Sequence, residues 1–513
     1  MDLGNNEAKP VPQLSVLQVN GARPADTKHM MATMEDSLPP VEATELLDLY
    51  SENVIAKIWR VAESYIDNHV CDISHVHDFP LIRQISDHEF SIQPSLETYP
   101  EYVPESGPLT GRYESKPVKF WTCGFFPASL YCILERCTKF PRHSPLPLIQ
   151  SDRISTLGSS QYAQLQALCR SWSAPLHAHA LRTNTHDLGF MLHPLRMDWE
   201  LTGDTSSLRA YITGAESLAT RFDERVGAIR SWDQAMSHIY DIRDKKNNFL
   251  IIVDNMDLIF YAAHITKNAT LSAIATQHAR TVLKTLIRPD ASTWHVANLD
   301  QHAPQQGTVK NNMTHQGLAD DSTWARGQAW AILGFAQTYK WTGDADFLGA
   351  CMRLTEHFIS RLQASPVKMC PWVPLWDFDD TSGELDSYGD RLRDASAGMV
   401  AANGMLLLHQ VLQVQGDGGE FAEHDGRRYL DVALNIARDT IQYALDKEDQ
   451  ARLQVDAETG KVRVPPGSWD AILRHSTANN NPNAMTRYKD HGLVYADYYF
   501  LEFGNKLLRM GLV

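Results

Sequence analysis

Two short motifs place a carboxylate where a polar stretch turns apolar: His186-Asp187-Leu188-Gly189-Phe190-Met191 and Val253-Asp254-Asn255-Met256-Asp257. Two carboxylates in one cleft are the minimum equipment for acid/base work on a sugar bond. Asp is also a good helix N-cap, so each residue taken alone reads equally well as a cap. A pair of them, flanked by His186 and Asn255, favours chemistry.

The densest polar constellation runs from Met313 to Trp330 and holds His315, Gln316, Trp324 and Arg326 just ahead of an apolar segment. Trp faces give the CH-rich side of a sugar a stacking platform, and Arg offers a planar fork for a carboxylate. Trp330 lies inside the apolar segment and reads equally as core. Trp121, Trp232 and the pair Trp294-His295 stand in other polar stretches, where a lone Trp is usually core and a lone His a satisfied loop residue. The chain has 21 His, yet none forms an HxxxH or HxH pair with carboxylates at metal-ligand spacing, so neither metal nor cofactor is expected. No Gly-rich phosphate loop and no nucleophile elbow occur.

The elements that must position these residues follow from a repeat. Six segments are apolar nearly all round, at about 123–138, 187–202, 254–267, 326–342, 394–415 and 492–508. A helix apolar on every side is buried on every side. Before each lies an amphipathic segment, at about 45–67, 160–181, 207–223, 270–287, 346–363 and 427–446. Leu201-Thr202-Gly203-Asp204 and Trp341-Thr342-Gly343-Asp344 repeat at one offset, with Gly suited to a helix C-cap and Asp to the next N-cap. Strand signal is sparse and confined to loops. Twelve alternating helices predict an all-α (α/α)6 barrel, an inner ring inside an outer one. An α-solenoid is the competing arrangement, but its inner helices keep a solvated concave face and these are too apolar for that. The loops entering the inner helices, 68–122, 224–253, 288–325, 364–393 and 447–491, are long, and long loops carry function. In a barrel they share one rim, so Trp121, Asp187, Asp254, Arg326 and Asp394 converge on one funnel.

The 47 basic against 62 acidic residues, a net charge of −15, exclude a nucleic-acid binder or a basic membrane-surface protein. Residues 1–40, rich in Pro, are expected to form a mobile tail, with 41–513 a single catalytic domain. The tail lacks an apolar run for a signal peptide, and no segment reads as a membrane span. Seven Cys without ligand spacing fit reduced thiols in a cytoplasmic protein. Oligomeric state is open, a homo-oligomer included.

Together, His-Asp-Leu-Gly-Phe-Met, Val-Asp-Asn-Met and Trp-Ala-Arg-Gly-Gln-Ala-Trp resemble the motifs of the unsaturated glucuronyl hydrolases, glycoside hydrolase family 88, with the likeness running from Lys119-Phe120-Trp121-Thr122 to the Gly492–Glu502 segment. The family has an (α/α)6 barrel. The resemblance implies a di- or oligosaccharide with a C4=C5 double bond in its non-reducing uronic acid, the product of polysaccharide lyases. It implies Asp254 as the general acid/base that hydrates the enol ether, and Asp187 as the second carboxylate, binding ring hydroxyls and raising the pKa of Asp254. Trp121 and Trp232 resemble the family's stacking residues, and His295, His315, Gln316, Trp324, Arg326 and Trp330 its substrate shell, with Arg326 facing the uronate carboxylate. His186 either tunes Asp187 or is structural. Rival readings are an unsaturated rhamnogalacturonyl hydrolase, against which Gln328 speaks, a non-catalytic sugar-binding barrel, and an epimerase, which needs a His pair instead of two acids.

Overall fold

The computed structural model describes residues 43–72, 96–146, 156–252, 257–415 and 425–513. The tail over 1–40, Asp254 and Asn255 lie outside the described residues. Among the described residues are twelve α-helices: α1 (Glu52–Asp72), α2 (Phe125–Lys139), α3 (Thr156–Ser173), α4 (Leu188–Thr202), α5 (Thr205–Ala219), α6 (Asp257–Thr266), α7 (Ala269–Leu286), α8 (Ala325–Thr342), α9 (Ala345–Gln363), α10 (Ala395–Gln415), α11 (Gly426–Tyr443) and α12 (Val494–Met510). The even-numbered six fall on the segments apolar all round, the odd-numbered six on the amphipathic ones. Two boundaries differ. The first amphipathic segment opens as a 3-10 turn, Ala43–Tyr50, before α1. The second stops as an α-helix at Ser173 and continues as a 3-10 helix, Ala174–Leu181, because Pro175 has no amide to extend the α ladder.

The repeated turns behave as the sequence implies. Gly203 and Gly343 end α4 and α8 in the left-handed region, φ 77° and 66°, where a Cβ is unfavourable. Asp204 then accepts the amides of Ser206 and Ser207, and Asp344 that of Asp346, capping α5 and α9. Asn268 caps α7 in the same way.

The even-numbered helices pack on one another: α2 against α12 and α4, α4 against α6, α6 against α8, α8 against α10, and α10 against α12. The odd-numbered helices lie against them, α1 and α3 on α2, α5 on α4 and α6, α7 on α6 and α8, α9 on α8 and α10, and α11 on α10. Close approach is enforced by small residues. A Cβ on Gly124, just before α2, would sit 2.0 Å from the Phe190 carbonyl of α4. Contrary to the sequence expectation, one helix among the described residues, α10 over Ala395–Val414, is long and apolar enough to cross a membrane. Its apolar surface is instead buried against its neighbours, 83% of that stretch.

The connections carry short strands. Those that matter for the site form a three-stranded antiparallel sheet of Phe249–Ile252, Val296–Leu299 and Val309–Met313. Its register pairs Ile252 with Val296 and Val296 with Met313. The chain therefore leaves Ile252, enters Val296 from His295 and leaves Met313 towards His315 at one edge. Ala235, Leu250, Val296 and Met313 make a small apolar cluster there, against which Trp232, Tyr240 and Ile252 pack.

Candidate active site

A pocket of about 370 Å³ opens at the N-terminal turns of α4 and α8 and is lined by Trp121, Asp187, Trp232, His295, His315, Gln316, Trp324, Arg326 and Trp330. Nine of the eleven residues singled out in the sequence thus meet in one cavity. His186 sits behind Asp187 rather than in the wall, and Asp254 is outside the described residues. Backbone hydrogen bonds explain the convergence. His186 N–H donates to the Ser231 carbonyl (3.1 Å) and Ser231 N–H to that of Leu250 (2.8 Å), and Thr185 bridges to Trp232. The Asp187 segment is thereby stitched to the strand that ends at Ile252, itself in the pocket wall.

Asp187 occupies the N-cap position of α4, but its side chain accepts no capping hydrogen bond. The carboxylate turns instead to His186, with Nε2 3.0 Å from Oδ1, and to the Thr185 hydroxyl, which donates to Oδ2 at 2.5 Å. Burial acts to raise the Asp187 pKa. The His186 ring beside it, the hydrogen bond from Thr185, and Arg182 outweigh it and hold the carboxyl below its ordinary value. Asp187 is therefore an ionised group, poised to accept hydrogen bonds. Trp232 stands edge-on to His186, ring centroids 5.6 Å apart at 87°, and edge-on to His315 at 5.7 Å.

His295 is a neutral donor. The Thr314 hydroxyl (2.9 Å) and the His315 amide (3.3 Å) both meet its Nδ1, and the Thr314 oxygen accepts from the Gly317 amide, so Nδ1 accepts and the proton sits on Nε2. Burial first, then the neighbouring His315 and Arg326, pushes the His295 pKa well down. Its ring lies tilted against Trp324, centroids 4.4 Å apart at 36°. His315 is lowered too, by burial, against the pull of Asp320. Trp330 packs on Phe190 at 5.1 Å, and Trp121 packs on Phe190, Phe125 and Tyr495, so these two rings close the pocket floor.

Arg326, expected as partner of a uronate carboxylate, reaches the pocket wall. Its side chain is fully buried and paired with an equally buried Asp394. The same guanidinium donates to the carbonyls of Thr477 (2.8 Å) and Ala478 (2.5 Å) and lies over the Trp324 ring, 4.5 Å from its centroid. With its charge already matched, Arg326 holds the loop after His475 and the Trp324 platform in place. Gln328, which distinguished the family motif, is also buried and donates to the carbonyls of Ala291 and Leu354.

No family model matches the chain. An unsaturated glucuronyl hydrolase of Formosa agariphila is 31% identical over 395 residues, 75% of this chain and 79% of that protein. The chain belongs to the unsaturated glucuronyl hydrolases. An unsaturated chondroitin disaccharide hydrolase of Streptococcus pyogenes is 27% identical over 62% of this chain and 68% of that protein. Among solved structures, an unsaturated glucuronyl hydrolase specific for heparin aligns with a TM-score of 0.62 and 26% identity over 92% of this chain and 99% of the other.

Further residues of this glycoside hydrolase shape the pocket. Phe190, three residues after Asp187, faces the same side of α4 and lines the pocket. Thr185 is a second neighbour of Asp187, and a polar residue two before a functional carboxylate is a weak signal at best. Gln234, Ala235 and Met236 reach the pocket through a two-residue hairpin, Ala235–Met236 with Asp241–Ile242, whose placement depends on contacts far along the chain. Among the described residues no three His, Cys, Asp or Glu side chains gather as a metal site would require.

Proposed function

We propose that this enzyme releases the 4,5-unsaturated uronic acid from the non-reducing end of lyase-generated oligosaccharides. Asp254 protonates C4 of the enol ether while water adds at C5. The resulting hemiketal opens, and the remaining sugar departs. Asp187, ionised, accepts hydrogen bonds from ring hydroxyls and by its charge favours the protonated form of a neighbouring carboxyl. Trp121, Trp232 and Trp330 supply sugar-facing rings, while His295 and His315 offer neutral polar edges and Gln316 an amide. The observation that carries this reading is the backbone stitching of the Asp187 segment to the strand whose end, Ile252, stands two residues before Asp254. It is supported by membership of the family. Relatives acting, by name, on unsaturated glucuronyl and chondroitin substrates favour this over the rhamnogalacturonyl reading.

The same proposal takes residues 41–513 as one catalytic unit with the six even-numbered helices as the inner ring of an (α/α)6 barrel. It is supported by the contact of α12 with α2, a first-to-last packing that an open solenoid lacks.

Loss of ultraviolet absorbance of the unsaturated uronate measures the reaction directly. Asp254→Asn is expected to abolish it while the far-ultraviolet circular dichroism stays that of the parent. Near-parental turnover by that variant would remove Asp254 from the acid/base role. Offering unsaturated chondroitin and heparin-type disaccharides beside the rhamnogalacturonan product identifies the leaving sugar.

A further inference from the structure

A second cavity, of about 470 Å³, lies at the other end of the even-numbered helices. The active-site pocket draws on first turns, whereas this one reaches late residues of five of these helices, Lys139 of α2, Glu200 of α4, Lys340 of α8, Gln410 of α10 and Lys506 of α12, together with Asp257 at the start of α6. Phe190 lines both. Its ring contacts with Phe125 (5.5 Å) and Trp330 (5.1 Å), and that of Trp330 with Tyr499 (5.6 Å), make an aromatic partition between them.

The wall carries five basic side chains (Lys139, Arg196, Lys340, Lys506, Arg509) against four acidic ones (Glu135, Glu200, Asp257, Glu502), a reversal of sign in a chain of net charge −15. Most are matched. Arg196 binds Asp257 at 2.5 Å and Glu200 at 2.9 Å, Arg509 grips both Glu135 and Glu502, and Lys139 reaches Glu135 at 3.3 Å. Two cations are poorly matched. Lys506, with 20% of its side chain exposed, has Glu502 only at 4.0 Å and the Asn403 carbonyl at 3.5 Å. Lys340 makes no ion pair among the described residues, and one turn earlier on α8 the buried Gln337 Oε1 has no hydrogen-bond donor.

We infer that this cavity binds a small oxyanion, a carboxylate or a sulfate, between Lys506 and Lys340. A partly buried ammonium whose nearest carboxylate is 4.0 Å away gains from a further anion that completes its shell. Burial lowers the Lys506 pKa to about 8, with Arg509 and Lys340 adding to the effect against the pull of Glu502, and a bound anion reverses that. The volume exceeds what sulfate fills, and the amides of Gln337 and Gln410 with the Tyr498–His193 hydrogen bond (2.8 Å) offer partners for hydroxyls, so a hydroxylated carboxylate of sugar-acid type has room.

The test uses the full chain with lysines reductively methylated with ¹³C, and the Lys506 signal assigned by its loss in Lys506→Arg. Sodium sulfate and sodium glucuronate are titrated separately against sodium chloride at matched ionic strength. The expected result is a saturable shift of the Lys506 signal with an upward move of its pKa, and at least about tenfold weaker binding in Lys340→Ser. Tighter binding of glucuronate than of sulfate identifies a sugar acid, and the reverse identifies a simple oxyanion. Lys506→Met, which lies outside the catalytic pocket, keeps parental turnover. A Lys506 signal that neither anion moves beyond chloride, or unchanged binding in Lys340→Ser, overturns the proposal. Because Lys340 is exposed, its variant carries the test even if changes at Lys506 impair folding.

Discussion

At the residue scale the telling contrast is between one Asp at a helix start and others. Asp204 and Asp344 turn their carboxylates back to helix amides, whereas Asp187 turns its own away, to His186 and Thr185. Those two neighbours are what keep a buried carboxyl ionised. In His186→Gln or Thr185→Val, burial acts with less opposition, so the Asp187 pKa rises. Activity that needs ionised Asp187 is lost as pH falls through that pKa, so the acid limb of the kcat/KM profile is expected to move to higher pH. Each hydrogen bond to a charged group is worth about 1.5–3 kcal/mol, so a loss of roughly 10- to 100-fold on the acid side is the expected size. An unmoved acid limb would show that another group sets it. Arg326 makes a second prediction. If it bound the substrate carboxylate, Arg326→Met would raise KM in a stable protein. Its buried pair with Asp394 instead leaves an uncompensated charge, for which about 3–5 kcal/mol of destabilisation is usual. A thermal melt of the variant, lowered well below the parent, separates the two.

At the element scale, the same contrast becomes a test of what helix starts are for. Asp204→Ala and Asp344→Ala each remove a cap worth about 1 kcal/mol and are expected to lower the melting temperature slightly with turnover unchanged. Asp187→Ala, with no cap to lose, is expected to leave the melt near parental and turnover reduced by orders of magnitude. The helices were legible because segments apolar all round read as interior, and because two Gly-Asp turns mark the ends of α4 and α8 and the starts of α5 and α9. The site was legible where it is written in continuous motifs, as in 186–191 and 324–330. It was not legible where a residue's meaning depends on distant partners. Arg326 read as a carboxylate fork because sharing a rim with Asp394, 68 residues away, does not announce that the two side chains pair. Met236 was not legible because a two-residue hairpin has no periodicity to detect.

At the scale of the whole molecule, the last loops are tied to the first helix by a buried charge network. Lys57 of α1 donates to Asp446 at 2.6 Å, with both side chains at 0% exposure. Asp446 also receives Arg474 Nε at 3.0 Å, and Arg474 reaches Glu105 at 3.0 Å. Arg474 begins the stretch whose Thr477 and Ala478 carbonyls take Arg326, so a pair far from the pocket braces its rim. Burial depresses the Lys57 pKa, with Asp446 opposing the shift. Lys57→Met leaves the buried Asp446 carboxylate with Arg474 as its remaining cation, and about 1.5–3 kcal/mol of destabilisation, the worth of a hydrogen bond to a charged group, is expected. The double variant Lys57→Met/Asp446→Leu removes the carboxylate as well, and its melting temperature is expected to recover most of that loss, since an apolar pair often replaces a buried ion pair at little cost. Turnover offers the second readout. Arg474 without Asp446 loses one of its anchors, so the double variant should remain stable yet show a raised KM if the network positions the pocket rim. Parental KM in a stable double variant would confine the network to holding the two ends of the chain together.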